Sequence, residues 1–309
     1  MSILIIFNNK DPEPWKKVLT SKLPNAIIEL YPTVEDIAAV DFVVCWKPEK
    51  NILMQFPNIK VIQSVGASID HVTNSQVIPK NSKITRIVDT KLSRDMWEFL
   101  LTIVLTQLKN TKTYLQQQEQ RIWNQKEYKS IDNTTITILG LGTIGGYVAE
   151  KFAALGFIVK GWSNSRKEIS GVESFNRRES FDSCLSQSDF LINLLPLTDE
   201  TRDIIDRNAL NKLANDAFFI NVGRGEHLIE TDLIELLDTD KLAGAFLDVF
   251  RKEPLPKEHP FWQHSKIQIT PHVASLTNVE SAANQIAENY KRFLNHQELL
   301  NLVSLNKGY

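Results

Sequence analysis

The chain has 309 residues, with 35 Lys and Arg against 37 Asp and Glu, a formal net charge of -2 and 42% hydrophobic residues. This length exceeds what one hydrophobic core usually covers, so we expect about two domains, and the ordinary composition excludes a disordered or fibrous chain. The near-neutral charge argues against nucleic-acid or membrane-surface partners, and no apolar run approaches the roughly 18 residues of a membrane span.

The two cysteines and the N-terminal residues indicate the cellular compartment in which the protein is expected. Cys45 and Cys184 lie far apart and show no metal or redox spacing. We interpret them as two buried thiols of a cytoplasmic protein, and we predict no metal site. The apolar start, residues 1–7, is short and lacks a basic flank and a small-residue cleavage site, so it predicts a first strand and not a signal peptide.

The N-terminal third predicts a first series of strands and helices. Strands are expected at residues 3–7, 26–30, 42–46, 61–65 and 84–88, with helices at 14–23 and 34–40. Short apolar strands separated by helices indicate a parallel sheet covered on both faces. A long helix then begins with Ser93 as its N-cap, and its polar, Gln-rich continuation at 111–125 predicts a partly solvated helix.

A second series begins at Thr135. Strands are expected at residues 136–139, 157–161, 190–194, 218–222, 245–249 and 267–270, and helices at 143–155 and 230–237. A last helix is expected at about 278–294. Repeated strand–helix units of this length indicate a doubly wound α/β fold.

A glycine-rich turn follows the first strand of this second series. Gly140 permits the tight turn, Gly142 lets the backbone approach a pyrophosphate, and Gly145 allows close helix–strand packing. The start of the next helix offers free N–H groups and a positive dipole end to phosphates. Glycine-rich turns are also common structural punctuation, but the strand–turn–helix context favours a dinucleotide site.

The end of the next strand bears on the choice of cofactor. An NAD site usually has an acidic residue there, about 20 residues after the first glycines, yet no acidic residue appears between the strand at 157–161 and Glu168. Side chains that can donate to a 2′-phosphate replace it, so we favour NADPH over NADH; the alternative is an ordinary solvated basic turn. The four candidate donors are Ser163, Ser165, Arg166 and Lys167.

Three chemically capable residues each follow a predicted strand of the second series. They are Arg224, Glu253 and His272. Since ligands of open α/β sheets bind outside the carboxyl ends of the strands, all three should reach the cofactor's edge of the sheet. Alone, Arg224 could pair with an acid, Glu253 could be solvated and His272 could cap a turn.

Four ordered motifs run along the chain at characteristic separations. They are the glycine turn, Val222-Gly223-Arg224-Gly225, Leu247-Asp248-Val249-Phe250 followed by Glu253-Pro254-Leu255-Pro256, and Thr270-Pro271-His272. Together they resemble the D-isomer-specific 2-hydroxyacid dehydrogenase family over essentially the whole chain. Further segments resemble its glyoxylate/hydroxypyruvate reductase A branch: Trp162-Ser163, Ser165-Arg166-Lys167, Gly171-Val172-Glu173-Ser174, Leu191-Ile192-Asn193-Leu194-Leu195-Pro196 and Gly308-Tyr309.

The resemblance implies an architecture. A Rossmann cofactor domain, residues 95–284, would be inserted into a flavodoxin-like substrate domain made of residues 1–94 and 285–309, each with a doubly wound parallel sheet. It also implies a homodimer built around the segment from Ser93 to about Gln125. The alternative is that this segment packs only within its own chain.

The resemblance also implies roles at the second series. Arg224 would bind the carboxylate and the 2-oxo group of a small 2-oxo acid, and His272 would be the general acid. Glu253 would accept from the other ring nitrogen and favour the imidazolium that donates the proton. Asp248 would orient the nicotinamide carboxamide. Further cofactor contacts are assigned to Thr143, Ile144, Leu195, Pro196 and Val222.

In the N-terminal series the resemblance points to a substrate loop. The backbone N–H groups of Gly66 and Ala67 would hold the substrate carboxylate, and Trp46 would border the pocket. The family pattern commonly has a second glycine where this chain has Ser68. We expect Ser68 to change the local backbone or to add a hydroxyl group to the pocket.

Taken together, these features predict an NADPH-dependent reductase that converts glyoxylate and hydroxypyruvate to glycolate and D-glycerate. A first alternative is a reductase of other, larger 2-oxo acids. A second is a non-catalytic, dinucleotide-sensing interaction protein, which the fold alone would permit. Such a sensor would need no general acid, so the combination of Arg224, Glu253 and His272 argues against it.

Overall fold

The computed structural model describes residues 1–304. The chain forms two compact units, the first made of Met1–Lys91 with the segment from Thr277 onward and the second of Leu92–Leu276. The strands are β1 Ser2–Phe7, β2 Ile27–Leu30, β3 Val40–Trp46, β4 Val61–Ser64, β5 Lys83–Thr85, β6 Thr135–Leu139, β7 Ile158–Ser163, β8 Val172–Asn176, β9 Phe190–Asn193, β10 Ala217–Asn221, β11 Leu242–Leu247 and β12 Ile267–Ile269. The α-helices are α1 Glu13–Lys22, α2 Asp70–Thr73, α3 Thr90–Leu108, α4 Thr111–Gln120, α5 Thr143–Ala154, α6 Phe181–Leu185, α7 Arg207–Asn211, α8 Glu230–Asp238 and α9 Val279–Leu294.

The first unit is built on a parallel sheet with the strand order β2-β1-β3-β4-β5. This is the flavodoxin-like order of a doubly wound sheet. Its three central strands, β1, β3 and β4, are almost continuously buried, as expected when helices cover both faces. Helix α9 begins at its N-cap Asn278, whose side chain accepts from the Ser281 N–H at 3.0 Å. It packs against α1 and buries Ala283, Ile286 and Tyr290.

The second unit is built on a parallel sheet of seven strands, ordered β12-β11-β10-β9-β6-β7-β8. Counted from β6, this is the Rossmann order 3-2-1-4-5-6 extended by one strand. Ile138, Ile192 and Ile220 are fully buried in its core. The order reverses between β6 and β9, and ligands of such sheets bind at that switch point. Two doubly wound parallel α/β units were predicted, and that fold class is confirmed.

Several predicted elements differ from the structure at their ends. Helix α3 begins at Thr90 and not after Ser93, which is buried within it. Helix α4 ends at Gln120 because Arg121 adopts a left-handed backbone with φ of 56°. The helix predicted at residues 34–40 is reduced to a 3-10 turn at Ile37–Ala39. Strand β8 was not predicted, since it lies at a sheet edge with half-exposed residues that show no apolar run.

The unit boundaries lie close to the sequence-based domain borders, which were placed after residue 94 and before residue 285. The structure divides the chain after Lys91 and before Thr277, so all of α9 belongs to the first unit. The assignment of substrate and cofactor roles to the units stays a prediction. The Gly308-Tyr309 segment lies outside the described residues.

Residues 1–304 contain no helix that combines the length and apolar character needed to cross a bilayer. Within the same residues, no group of three or more His, Cys, Asp or Glu side chains is placed to hold a metal ion.

Candidate active site

The glycine turn after β6 has the geometry that a dinucleotide phosphate site requires. Gly140 has a φ of +97°, and a Cβ there would lie 2.6 Å from the Leu194 carbonyl oxygen. A Cβ on Gly145 would overlap the carbonyl oxygen of Gly140, whereas a Cβ on Gly142 would meet no described atom within 4 Å. The open side of the turn therefore lies at the start of α5, where Thr143, Ile144 and Gly145 have N–H groups without helical acceptors. The turn fits the phosphates of a bound dinucleotide.

The basic turn after β7 presents two exposed cations. Arg166 and Lys167 are exposed, and no carboxylate precedes Glu168. Ser163 is buried, and its hydroxyl donates to the Ser165 carbonyl at 2.8 Å. Ser163 therefore closes the turn and does not direct its proton at a phosphate.

The loops after the neighbouring strands β9 and β10 are joined by hydrogen bonds. Asn193 accepts from the Leu195 N–H at 3.2 Å through its side chain and from the Val222 N–H at 3.3 Å through its carbonyl. The Pro196 carbonyl faces the buried His227 ring at 3.2 Å. Leu195, Pro196 and Val222, the predicted cofactor contacts, are thus fixed by polar residues beneath them.

His272 and Glu253 lie side by side in the second unit. The His272 Nδ1 atom is 2.9 Å from Glu253 Oε2 and 3.1 Å from Oε1. The Phe250 N–H donates to Glu253 Oε1 at 3.2 Å and orients the carboxylate. About a third of the His272 side chain, 32%, is exposed, so the ring can meet a ligand. A ring that donates from Nδ1 to a carboxylate keeps Nε2 for a substrate.

The backbone of His272 is strained. Its φ is +57°, in the left-handed region that non-glycine residues seldom occupy. The buried carboxylate of Asp248 stabilises this turn by accepting from the Thr270 hydroxyl at 2.5 Å and from the N–H groups of Val273 and Ala274 at 2.8 and 2.9 Å. Asp248 therefore positions the His272 loop. A carboxylate has about four acceptor sites, so its assigned contact with a nicotinamide carboxamide stays a prediction.

Arg224 lies on a loop that touches the Glu253 loop. Its Nη1 donates to the Gly223 carbonyl at 2.6 Å. A Cβ on the neighbouring Gly225 would overlap the backbone of Phe250, so only glycine permits this close approach. The loops that carry Arg224 and Glu253 are thereby packed backbone against backbone.

The sequence reasoning missed a buried network below Arg224. The Arg224 N–H and the Asn193 side chain both donate to His227 Nδ1, at 3.3 and 2.8 Å. Because Nδ1 accepts, the proton of this fully buried ring is on Nε2 and is donated to the Pro196 carbonyl. Asn193 also donates to Asn221 at 2.9 Å. The available signal was an Asn at the end of each of two apolar strands, at partnered positions of the sheet.

In the first unit, the predicted substrate loop follows β4 and is organised by Ser64, which the sequence reasoning also missed. The Ser64 hydroxyl accepts from the Gly66 N–H at 3.1 Å, donates to the Ser68 carbonyl at 2.9 Å and lies 3.3 Å from His71 Nε2. The Trp46 ring packs on His71 with a centroid distance of 4.7 Å. A Cβ on Gly66 would lie 2.8 Å from Trp46 Cζ3, so glycine is required beneath the indole.

These contacts change the expected roles within the loop. The Gly66 N–H, which was expected to bind the substrate carboxylate, donates to the Ser64 hydroxyl instead. The Ala67 N–H has no acceptor among residues 1–304 and remains a candidate donor. Neither Ala67 nor Ser68 has a positive φ, so the serine fits this backbone without left-handed strain.

Comparisons with known proteins agree with this geometry. The family model described as D-isomer specific 2-hydroxyacid dehydrogenase, NAD binding domain, matches residues 101–274. This chain belongs to that family. Glyoxylate/hydroxypyruvate reductase A from Yersinia enterocolitica is 34% identical, and that from Serratia proteamaculans 36% identical, each with all of both chains covered.

Solved structures of the D-isomer specific 2-hydroxyacid dehydrogenase family superpose closely. The enzyme of that name from Xanthobacter autotrophicus Py2, in complex with NADPH and MES, has a TM-score of 0.94 at 31% identity, covering 100% of this chain and 99% of the other. The NADPH-dependent glyoxylate/hydroxypyruvate reductase from Sinorhizobium meliloti, in complex with NADP and sulfate, has a TM-score of 0.93 at 32% identity, with both chains fully covered. The present family member is accordingly an oxidoreductase of the D-2-hydroxyacid dehydrogenase type with a nicotinamide dinucleotide site, and those predictions are confirmed.

Proposed function

We propose that this dehydrogenase reduces glyoxylate and hydroxypyruvate to glycolate and D-glycerate and prefers NADPH to NADH. The observation that carries the proposal is the His272–Glu253 pair at 2.9 Å, on a strained loop beside the Arg224 loop. A general acid oriented by a carboxylate is what reduction of a ketone or aldehyde requires. The substrate choice is supported by full-length relatives named glyoxylate/hydroxypyruvate reductase A.

The proposed roles are those that the family resemblance implies, adjusted to the contacts of each residue. Arg224 binds the substrate carboxylate and the 2-oxo oxygen, so that its charge stabilises the alkoxide as it develops. His272 donates the Nε2 proton to that oxygen, and Glu253 holds the ring in place. The Ala67 N–H contributes a donor to the substrate carboxylate. Bound NADPH supplies the hydride.

A substrate and cofactor panel tests the proposal. Oxidation of NADPH and NADH should be measured with glyoxylate, hydroxypyruvate and 2-oxo acids that have longer side chains. We expect the largest kcat/KM with NADPH and one of the two small acids. Higher kcat/KM with a longer acid would favour the alternative substrate class, and no turnover with any acid would exclude the proposed reaction.

The NADPH preference has its own test in the basic turn. Arg166 is exposed next to a cofactor edge without a carboxylate, so its guanidinium can pair with a 2′-phosphate. Arg166→Ala should raise KM for NADPH by roughly tenfold, the effect of one charged hydrogen bond, and leave KM for NADH nearly unchanged. Arg292→Ala, which removes a cation from the first unit, is the matched control. Equal changes with both cofactors would disprove the assignment.

We also propose a homodimer, with a contact that includes α4 and the segment after it. Five large apolar side chains there are exposed, including 97% of Trp123. Such a group indicates a protein-binding surface, and closed homodimers are the commonest oligomers. Sedimentation should give a dimer at micromolar concentration, which Trp123→Ser weakens; a monomer at that concentration would contradict the proposal. The other four side chains are Tyr114, Leu115, Ile122 and Tyr128.

A cytoplasmic location is proposed as well. Cys45 and Cys184 are free and buried, and burial raises the pKa of each thiol to about 12. Unpaired cysteines are usual in a reducing compartment. Fractionation of cells that express the protein should recover it with cytoplasmic markers.

A further inference from the structure

Arg86 has no role in the assignments above, yet it lies directly against the substrate loop. It follows β5, and its Nη1 donates to the Ala67 carbonyl at 3.1 Å. The next residue, Ile87, donates its N–H to the Gly66 carbonyl at 2.9 Å. Residues 86 and 87 therefore hold two consecutive carbonyl groups of the loop.

The Arg86 charge has no acidic partner among residues 1–304. The chain's ion pairs in that range do not include it, and the Ala67 carbonyl is its one side-chain hydrogen-bond acceptor there. Burial lowers the pKa of Arg86, but a guanidinium remains charged at neutral pH. A half-buried cation is costly without an opposing charge, so the arrangement favours an anion nearby.

The two bonds also fix the direction of the loop's candidate donor. The Gly66 carbonyl and the Ala67 N–H belong to one trans peptide plane and point in opposite directions, so the Ile87 N–H that holds this carbonyl also sets the direction of the Ala67 N–H. The Arg86 guanidinium holds the following peptide plane through the Ala67 carbonyl and brings a positive charge to the loop. The guanidinium also retains further N–H groups of its planar fork, since Ala67 takes one.

We propose that Arg86 is a positioning residue for the substrate carboxylate. It holds the Gly66–Ser68 loop in its binding shape and supplies the positive charge that the loop's neutral backbone donors lack. The inference rests on the proposed function in one respect, namely that the anion is a 2-oxo acid.

Kinetics of charge-changing variants test this inference. Arg86→Met, which removes both charge and hydrogen bond, should raise KM for glyoxylate about 10- to 100-fold. It should change kcat much less and leave KM for NADPH unaltered. Arg86→Lys keeps the charge and should restore most of the affinity. The matched control is Lys83→Met, which makes the same charge change at the opposite end of β5.

A binding measurement separates this inference from the proposed reaction. Oxamate, an unreactive analogue of a 2-oxo acid, can be titrated by calorimetry into the NADPH complex of each variant. The affinity for oxamate should be lower in the Arg86→Met variant than in the wild-type protein. This result can be measured even if the protein turns over none of the acids. Arg86→Gln, which is polar and uncharged, replaces the Met variant if that one does not fold.

Three results would overturn the inference. The first is an unchanged KM for glyoxylate and an unchanged oxamate affinity in the folded Met or Gln variant. The second is an Arg86→Lys variant that is as impaired as the uncharged one, since charge would then not matter. The third is an uncharged Arg86 variant that loses NADPH affinity and oxamate affinity equally, while the wild-type protein turns over 2-oxo acids; Arg86 would then be a general structural residue.

Discussion

In the second unit the candidate acid His272 is held by carboxylates, whereas in the first unit the substrate loop is held by a hydroxyl and a cation. Glu253 lies 2.9 Å from the His272 ring, and Asp248 accepts three hydrogen bonds from the same loop. The corresponding contacts of the substrate loop come from the Ser64 hydroxyl and the Arg86 guanidinium.

The difference follows from the chemistry that each region is proposed to perform. A proton donor needs a partner that favours its charged form and fixes which nitrogen faces the substrate. A loop that binds a carboxylate needs oriented N–H groups in a neutral or positive surrounding, because a nearby negative charge would repel the ligand. Substitutions in the two units should therefore affect different kinetic constants.

The largest effect is expected at His272. His272→Ala removes the proposed acid and should lower kcat by roughly 10²- to 10⁴-fold, with NADPH affinity by fluorescence titration unchanged. Glu253→Gln should also lower kcat, because it removes the charged partner of the ring. The decrease should be smaller than in His272→Ala, because the ring stays in place. Equal losses of turnover and NADPH affinity in the His272 variant would show that the residue is structural.

An intermediate effect is expected at the network below Arg224. His227→Phe leaves the Asn193 amide, the Arg224 N–H and the Pro196 carbonyl without their partner. Each buried polar group left unpaired costs about 1–3 kcal/mol, so thermal unfolding should shift to a lower temperature and kcat/KM should fall about tenfold. The control is His264→Phe, since His264 contacts Asp238 and Lys266. An unshifted kcat/KM in a folded His227 variant would mean that the network does not position Arg224.

The sequence was sufficient for features that depend on local pattern. The glycine turn is specified by the apolar run before it and by the overlap that any side chain on Gly145 would cause. Residues at the ends of strands, such as Arg224 and His272, could be placed at one edge because parallel strands share an edge. Their catalytic roles stay predictions.

Features that depend on register and on contacts across the fold could not be predicted. Asn193 and Asn221 are paired only through the register of β9 with β10. Arg86 and Ala67 are 19 residues apart and meet because β4 and β5 lie side by side. Strand β8, with its partly exposed residues, forms through its pairing with β7 and has no apolar run that would mark it.

The smallest effect is expected at Ser64, which organises the substrate loop of the first unit. Ser64→Ala removes an acceptor from the Gly66 N–H and a donor to the Ser68 carbonyl. One net hydrogen bond contributes about 0.5–1.5 kcal/mol, so KM for glyoxylate should rise roughly 2- to 10-fold, with kcat and KM for NADPH unchanged. Ser82→Ala, which removes a comparable hydroxyl bonded to the Pro79 carbonyl, serves as the control. A fall in kcat without a rise in KM would mean that the loop acts on the chemical step, and the division between a substrate-binding unit and a proton-donating unit would fail.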